Sequence, residues 1–325
     1  MPGSRRLTVA VVALLSGVAL GAGATQTARS EGQLDRTALL RDAEILAADA
    51  MEGRQAGTAG GARARAYLVG RFAASGLQPF EGSYEHPFDF RQGGAGRQSS
   101  RQGVNVVGWI AGSRQPDRYL VVSAHYDHVG VREGQVYNGA DDNASGTAAL
   151  LALAAHFRAR PPEHSLIFAA FDAEEAGLQG SRAFVANPPV PRGAIAVNVN
   201  LDMIGRDRDN RLFVVGTRQN PSLRTLLAGV AAEAPVRVLF GHDDPAAVGA
   251  ENWSRASDHW SFQQAGIPAL LLSVEDYEHH HEPTDDYETM TFDFFVNAAE
   301  TSLLIVKRLD GNLASLAYPS SVGYR

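Results

Sequence analysis

Two hydrophobic rhythms alternate along this chain from about residue 34 onward. At 34–48 and 57–75 apolar residues recur at helical spacing, the second stretch stopping at Gly76. A turn-like link at 49–54 joins them. Residues 84–90 alternate apolar and polar, as a half-buried strand does. Residues 91–103, rich in Gly, Gln, Ser and Arg, read as a loop. Short apolar runs at 104–110, 119–124, 166–171, 194–201, 212–215, 236–240 and 269–273 then read as strands. Between and after them, 145–159, 180–186, 221–232, 257–265 and 292–309 read as helices, Pro221 opening one of them. Strands alternating with helices predict an α/β three-layer sandwich, with a mostly parallel central sheet and helices on both faces.

The first residues follow neither rhythm. Arg5 and Arg6 precede an apolar stretch from Leu7 to about Ala22, and Ala22, Gly23 and Ala24 form a small-residue cleavage site. This is the pattern of a secretory signal peptide cut after Ala24, and the stretch is short and glycine-broken for a membrane anchor. Export to the periplasm or the medium is therefore expected. The remainder reads as a loose mature start at 25–33, one domain over 25–310 and a tail at 311–325, with no second domain and no internal repeat.

Losing 1–24 removes two arginines and no acids, so the formal net charge moves from −7 to −9. An acidic surface argues against nucleic acid and against anionic membranes as partners. A monomer is expected. The chain has no cysteine, which fits an exported protein without disulfides and excludes thiolate zinc sites and cysteine catalysis.

Metal-ligand residue types gather where strands end. His125 closes the run 119–124, with Asp127 two residues on to accept its other ring N–H. Asp141 and Asp142 precede the helix at 145–159, where one carboxylate can cap the helix while the other binds metal. Glu174 and Glu175 follow the strand at 166–171. Adjacent carboxylates do nothing for a core, but one can hold a metal while its neighbour takes a proton from water. Asp202 follows the strand at 194–201, and His279, His280 and His281 follow the strand at 269–273. Open α/β sheets bind ligands at the carboxyl ends of their strands, where this set falls. His86, His156, His164 and His242 lack such a context. His128 and His259 are closer cases.

Taken together, the segments 50–54, 139–146, 171–177, 200–206 and 257–259 make the chain resemble the secreted di-zinc aminopeptidases. That group also contains glutamate carboxypeptidase II, the glutaminyl cyclases and the transferrin receptor. The resemblance covers most of the mature chain and implies the zinc-exopeptidase, phosphorylase/hydrolase-like fold. It also implies two zinc ions per chain and hydrolysis of the N-terminal bond of peptides with a free N-terminus. Residue by residue, it makes His125 and Asp202 ligands of one zinc, Glu175 and His281 ligands of the other, and Asp142 the bridge. Glu174 becomes the general base and acid, and Asp127 orients His125. It further implies a cis peptide bond between Asp142 and Asn143. One position departs from glutamate carboxypeptidase II, where a tyrosine precedes the last histidine ligand. Here that residue is His280, which leaves the oxyanion donor open among His280, Tyr277 and His259.

Other activities of the same group make different demands. A carboxypeptidase or dipeptidase needs a basic residue for the terminal carboxylate, with Arg206, Arg218 and Arg255 as candidates. The cyclases carry a longer Trp-containing insertion after the glutamate pair, whereas 177–181 here runs straight towards a helix. A non-catalytic binding homologue would lack ligands, yet all five proposed ligands and Glu174 are present. The substrate pocket is expected from loops 207–210 and 242–253, with Trp253, Phe240 and Phe262 as its apolar candidates.

Overall fold

The computed structural model describes residues 34–92 and 99–315, together with Met1 and Gly3. Apart from those two residues, the expected leader and the segment 25–33 lie outside the described residues, as does 316–325 of the expected tail. The chain divides into two units at residue 33, and the second carries every element that follows.

The helices are α1 (Arg36–Leu46), α2 (Ala59–Ala74), α3 (Gly146–Ala159), α4 (Gln179–Ala186), α5 (Pro221–Glu233), α6 (His259–Gln264) and α7 (Phe292–Asp310). The strands are β1 (Gln78–Pro79), β2 (Glu85–Gln92), β3 (Ser99–Ile110), β4 (Gln115–His125), β5 (Gly130–Arg132), β6 (Gln135–Tyr137), β7 (His164–Phe171), β8 (Ile195–Leu201), β9 (Arg211–Val215), β10 (Arg237–Phe240) and β11 (Ala269–Ser273). One sheet runs in the order β1-β3-β7-β4-β8-β11-β9-β10, with β2 added on β3, while β5 and β6 form a separate hairpin. At its centre β7, β4, β8 and β11 are mutually parallel. Towards the flanks β3 meets β7 and β9 meets β11 antiparallel, so the sheet as a whole is mixed.

The central strands are buried on both faces, which is why they read as unbroken apolar runs. Their pleat sends alternate residues to two cores. Leu120, Val122 and Ala124, with Leu166, Phe168 and Ala170, pack against α1, α2, α3, α5 and α7. Val121, Ile167, Ala169 and Phe171 turn the other way, onto Phe184 of α4 and Phe262 of α6. These are the three expected layers. Helix α3 is apolar around nearly its whole circumference because the sheet covers one side and α1 and α2 the other. Among the described residues no helix is long and apolar enough to cross a membrane.

The stretch 91–103 departs from the loop expected of it. Arg91 and Gln92 pair with Ser100 and Ser99, so β2 and β3 extend well out as a hairpin. Residues 99–102 are exposed. A polar composition therefore mimics a loop, although cross-strand backbone hydrogen bonds hold the segment extended. Residues 93–98 lie outside the described residues. Strands β1, β5 and β6 are too short for a periodicity to register.

Candidate metal centre

Because the four central strands are parallel, their carboxyl ends share one edge of the sheet. His125 ends β4, Glu174 and Glu175 follow β7, Asp202 follows β8, and His281 lies in the loop after β11. Asp142 reaches the same place from the segment before α3, and the Asp142–Asn143 peptide bond is cis. The side chains converge on Asp142. His125 Nε2 lies 3.2 Å from Asp142 Oδ1 and 3.2 Å from Asp202 Oδ1. His281 Nε2 lies 3.2 Å from Asp142 Oδ2 and 2.8 Å from Glu175 Oε2. Two donor groups result, His125–Asp142–Asp202 and His128–Asp142–Glu175–His281, sharing one carboxylate.

Neighbouring backbone and side chains fix these groups. Asp141 accepts the Gly205 N–H at 2.6 Å and a hydrogen bond from the Ser145 hydroxyl at 3.3 Å, so it anchors the segment and leaves Asp142 to face the site. Asn143 donates to the Leu201 carbonyl and accepts the Gly146 N–H, tying the segment to the end of β8. Asp285 accepts the N–H groups of both Asp141 and Asp142, and Arg206 in turn holds Asp285 and Asp276. Asp127 meets His125 through both its backbone carbonyl and its carboxylate. Its backbone carbonyl, 3.1 Å from His125 Nδ1, orients the ring. Its carboxylate Oδ1 stands 3.8 Å from Nδ1 and accepts the Glu174 N–H at 3.0 Å, while Oδ2 accepts the Glu175 N–H at 3.4 Å. One residue thereby joins the histidine arm to the glutamate arm.

The site's electrostatics separate the two glutamates. Burial raises the Glu175 carboxyl, but the imidazoles of His128 and His281 outweigh it and hold the group at about 2. Glu174 goes the other way. Burial, helped by the charges of Asp258, Glu175 and Asp202, raises it well above the usual carboxylate range against the pull of His125. The pair thus divides into an ionised ligand type and a proton-carrying type. His281, bonded to Asp142 and Glu175, is raised to about 10. The five carboxyl residues facing one cavity, Asp142, Glu174, Glu175, Asp202 and Asp276, gather negative charge that divalent cations would balance. Imidazole nitrogens and carboxylate oxygens are zinc donors, and the 2.8–3.2 Å separations resemble the roughly 3.3 Å between donors on a tetrahedral ion. The residues present fit zinc.

These groups floor a cavity of about 420 Å³. Met203, Trp253, Leu271 and Val274 supply its apolar wall, and Asn252 and Trp253 come from the expected loop 242–253. Residues 207–210 do not reach it. Phe262 belongs to the core beneath the sheet, and Phe240 packs against α5-side apolar residues and under Arg224. Of the three oxyanion candidates, His280 and Tyr277 line the cavity, but His259 does not. It is wholly buried at the start of α6, where burial lowers its pKa to about 3. Among the three consecutive histidines, His281 contacts two carboxylates of the site, His280 only Asp142 at 3.6 Å, and His279 bonds Thr284. His128, left unresolved by sequence, is fully buried within the site. Its position three residues beyond His125 at a strand end was the available clue. Arg54 was also missed, and its guanidinium donates to four backbone carbonyls behind the metal segment.

Comparison with known proteins agrees with this geometry. A probable zinc metalloprotease of Pyrenophora tritici-repentis is 28% identical over 209 residues, covering 55% of this chain. The chain spans about half, 48%, of that relative's length. A zinc aminopeptidase from Bacillus subtilis superposes with a TM-score of 0.68 at 17% identity, covering 85% of this chain and 95% of the other. A glutaminyl cyclase from Fimbriiglobus ruber gives 0.65 at 21% identity, with 85% and 95% covered. Residues 105–306, which hold every residue of both donor groups, match the model for peptidase family M28, and the chain belongs to that family.

Proposed function

We propose that this protein is a zinc-dependent aminopeptidase holding two zinc ions, one on His125, Asp142 and Asp202 and one on Asp142, Glu175 and His281. The observation that carries the reading is the sign of the cavity. Asp142, Glu174, Glu175, Asp202 and Asp276 face it, and no Arg or Lys is among its described lining residues. With zinc on Asp142, Glu175 and Asp202, the lining carboxyls Glu174 and Asp276 remain as acceptors for a substrate's free α-ammonium group, whereas no described lining Arg or Lys is available to pair with a terminal carboxylate. The three arginines named as carboxypeptidase candidates are engaged elsewhere. Arg206 is buried on Asp276 and Asp285, Arg218 pairs with Asp244 at 3.3 Å, and Arg255 lies over the Trp260 ring. The zinc aminopeptidase neighbour from Bacillus subtilis supports the same reading.

When bound, zinc polarises the scissile carbonyl and brings the pKa of a coordinated water towards 7. The remaining work falls to the chain. Glu174, which lines the cavity, takes the proton of the attacking water in its ionised form, where a raised pKa makes it the stronger base, and returns it to the leaving amine. His280 and Tyr277 line the cavity as donors to the developing oxyanion. Met203, Trp253, Leu271 and Val274 receive an apolar side chain of the N-terminal residue. Trp253 is held firmly for this, stacked on His242 with ring centroids 3.7 Å apart. Export through the leader at 1–24 completes the proposal.

The test is cleavage of aminoacyl p-nitroanilides and of their N-acetylated forms by the full chain. Leucyl substrate is expected to be hydrolysed and its acetylated form to be at least about 100-fold slower, the weight of a lost charge-assisted contact of roughly 3 kcal/mol. Equal rates on both would refute the aminopeptidase reading.

A further inference from the structure

His128 has no role in the five-ligand arrangement, yet it is built into the site. It is fully buried beside Glu175 and Asp142. Its ring lies against Gly139, where a Cβ would come within 2.6 Å of the His128 Cγ and Cδ2 atoms. Gly139 also has a left-handed backbone, φ 58°, so the position is closed to larger residues twice over. The chain has cleared space for this ring.

The ring's polar atoms explain why. His128 Nδ1 lies 2.9 Å from Glu175 Oε1 and 3.6 Å from Asp142 Oδ2. Despite the short approach, neither Nδ1 nor Glu175 Oε1 makes a hydrogen bond, and both are buried. Its Nε2 also lacks a hydrogen bond, and a buried imidazole whose ring nitrogens stay unsatisfied is costly. Two donors that crowd each other without pointing at each other are arranged as ligands around a common centre. With His281 Nε2, the four donor atoms of His128, Asp142, Glu175 and His281 lie within 4.8 Å of one another. The closest approaches among the four residues, with His128 on Glu175 Oε1 and His281 on Glu175 Oε2, run from 2.8 to 3.6 Å, around the roughly 3.3 Å edge of a zinc tetrahedron.

We infer that His128 Nδ1 is a fourth protein ligand of the metal held by Asp142, Glu175 and His281. This deepens, and rests on, the two-zinc reading above. Its consequence is an asymmetric centre. Four protein ligands fill a tetrahedral shell, as in structural zinc sites, whereas three leave a position open. The His128 position is then closed and serves to hold Asp142 and to supply charge. The His125–Asp142–Asp202 position is the open one, beside Glu174.

Zinc content and zinc X-ray absorption of the full chain test this, with His128→Ala and His128→Asn compared. A zinc content well below two per chain removes the two-zinc reading itself, whatever His128 does. With two zincs bound, the expected wild-type spectrum contains three imidazoles shared over two ions, and two imidazoles would overturn the inference without any variant. In folded variants one imidazole is lost, and one of the two zincs exchanges to a competing chelator at least about tenfold more readily. Asn can replace a hydrogen bond at the Nδ1 position but is a poor zinc ligand. If His128→Asn keeps wild-type affinity and an unchanged imidazole count, His128 is only a positioning residue and the inference fails.

Discussion

At the scale of single residues, the site depends on groups that never touch a substrate. Among the described residues Arg54 is the largest fully buried side chain. Its guanidinium donates to the carbonyls of Leu46 and Asn138 at 2.6 Å and of Tyr126 and Gly139 at 2.8 Å. Tyr126 lies between His125 and Asp127, and Gly139 opens the segment carrying Asp142, so one cation fixes both arms. Burial lowers its pKa to about 10 against the pull of Asp142 and Asp285, and it stays charged at neutral pH. In Arg54→Lys a single nitrogen cannot span four carbonyls. At least one is left bare in the interior, at a cost of about 1–3 kcal/mol. Urea unfolding of the zinc-loaded protein should show that loss, and an unchanged midpoint would argue that the four bonds carry no weight. Arg54 stood inside a segment that the sequence marks as familiar. Its task was illegible there, because carbonyl acceptors leave no trace in side-chain identity. Asp127 illustrates the same limit. Its proximity to His125 was readable, but the division of labour between its carbonyl and its carboxylate was not.

At the scale of elements, most of the architecture was legible because buried parallel strands and their helices have strong periodicity. The runs at 166–171 and 269–273 became β7 and β11 with small changes at their ends. What failed was governed by pairing rather than burial, as in the exposed hairpin of β2 and β3. The ends of elements set the site, and Gly146 at the start of α3 is a tight one. A Cβ there would sit 2.3 Å from the Leu201 carbonyl and 2.4 Å from Asn143 Oδ1. Gly146 already has helical angles, φ −62° and ψ −39°, so alanine would gain up to about 1 kcal/mol of helix propensity. Overpacking costs about 1–3 kcal/mol and here presses on backbone, so the clash wins. Gly146→Ala should therefore lower the thermal midpoint and weaken zinc binding together, since Asn143 and Leu201 tie the Asp142 segment to β8. A variant with a raised midpoint and unaltered zinc affinity would contradict that coupling.

At the scale of the whole molecule, the sheet brings residues far apart in sequence to one edge and leaves their charges mutually repelling until cations arrive. The ordered set of His125, Asp142, Glu175, Asp202 and His281 was readable because each follows a strand or precedes a helix. Placing His128 among them required the fold, since its position three residues beyond His125 at a strand end suits a core histidine as well as a ligand. The central claim is that this centre binds zinc and that Glu174 moves the proton. The most direct measurement is zinc content and leucyl p-nitroanilide turnover for the full chain and for Glu174→Gln. The account predicts equal zinc in both proteins and a turnover lower by about 10²–10⁴-fold in the variant. Equal turnover with zinc bound, or undiminished activity after zinc is stripped, would contradict it.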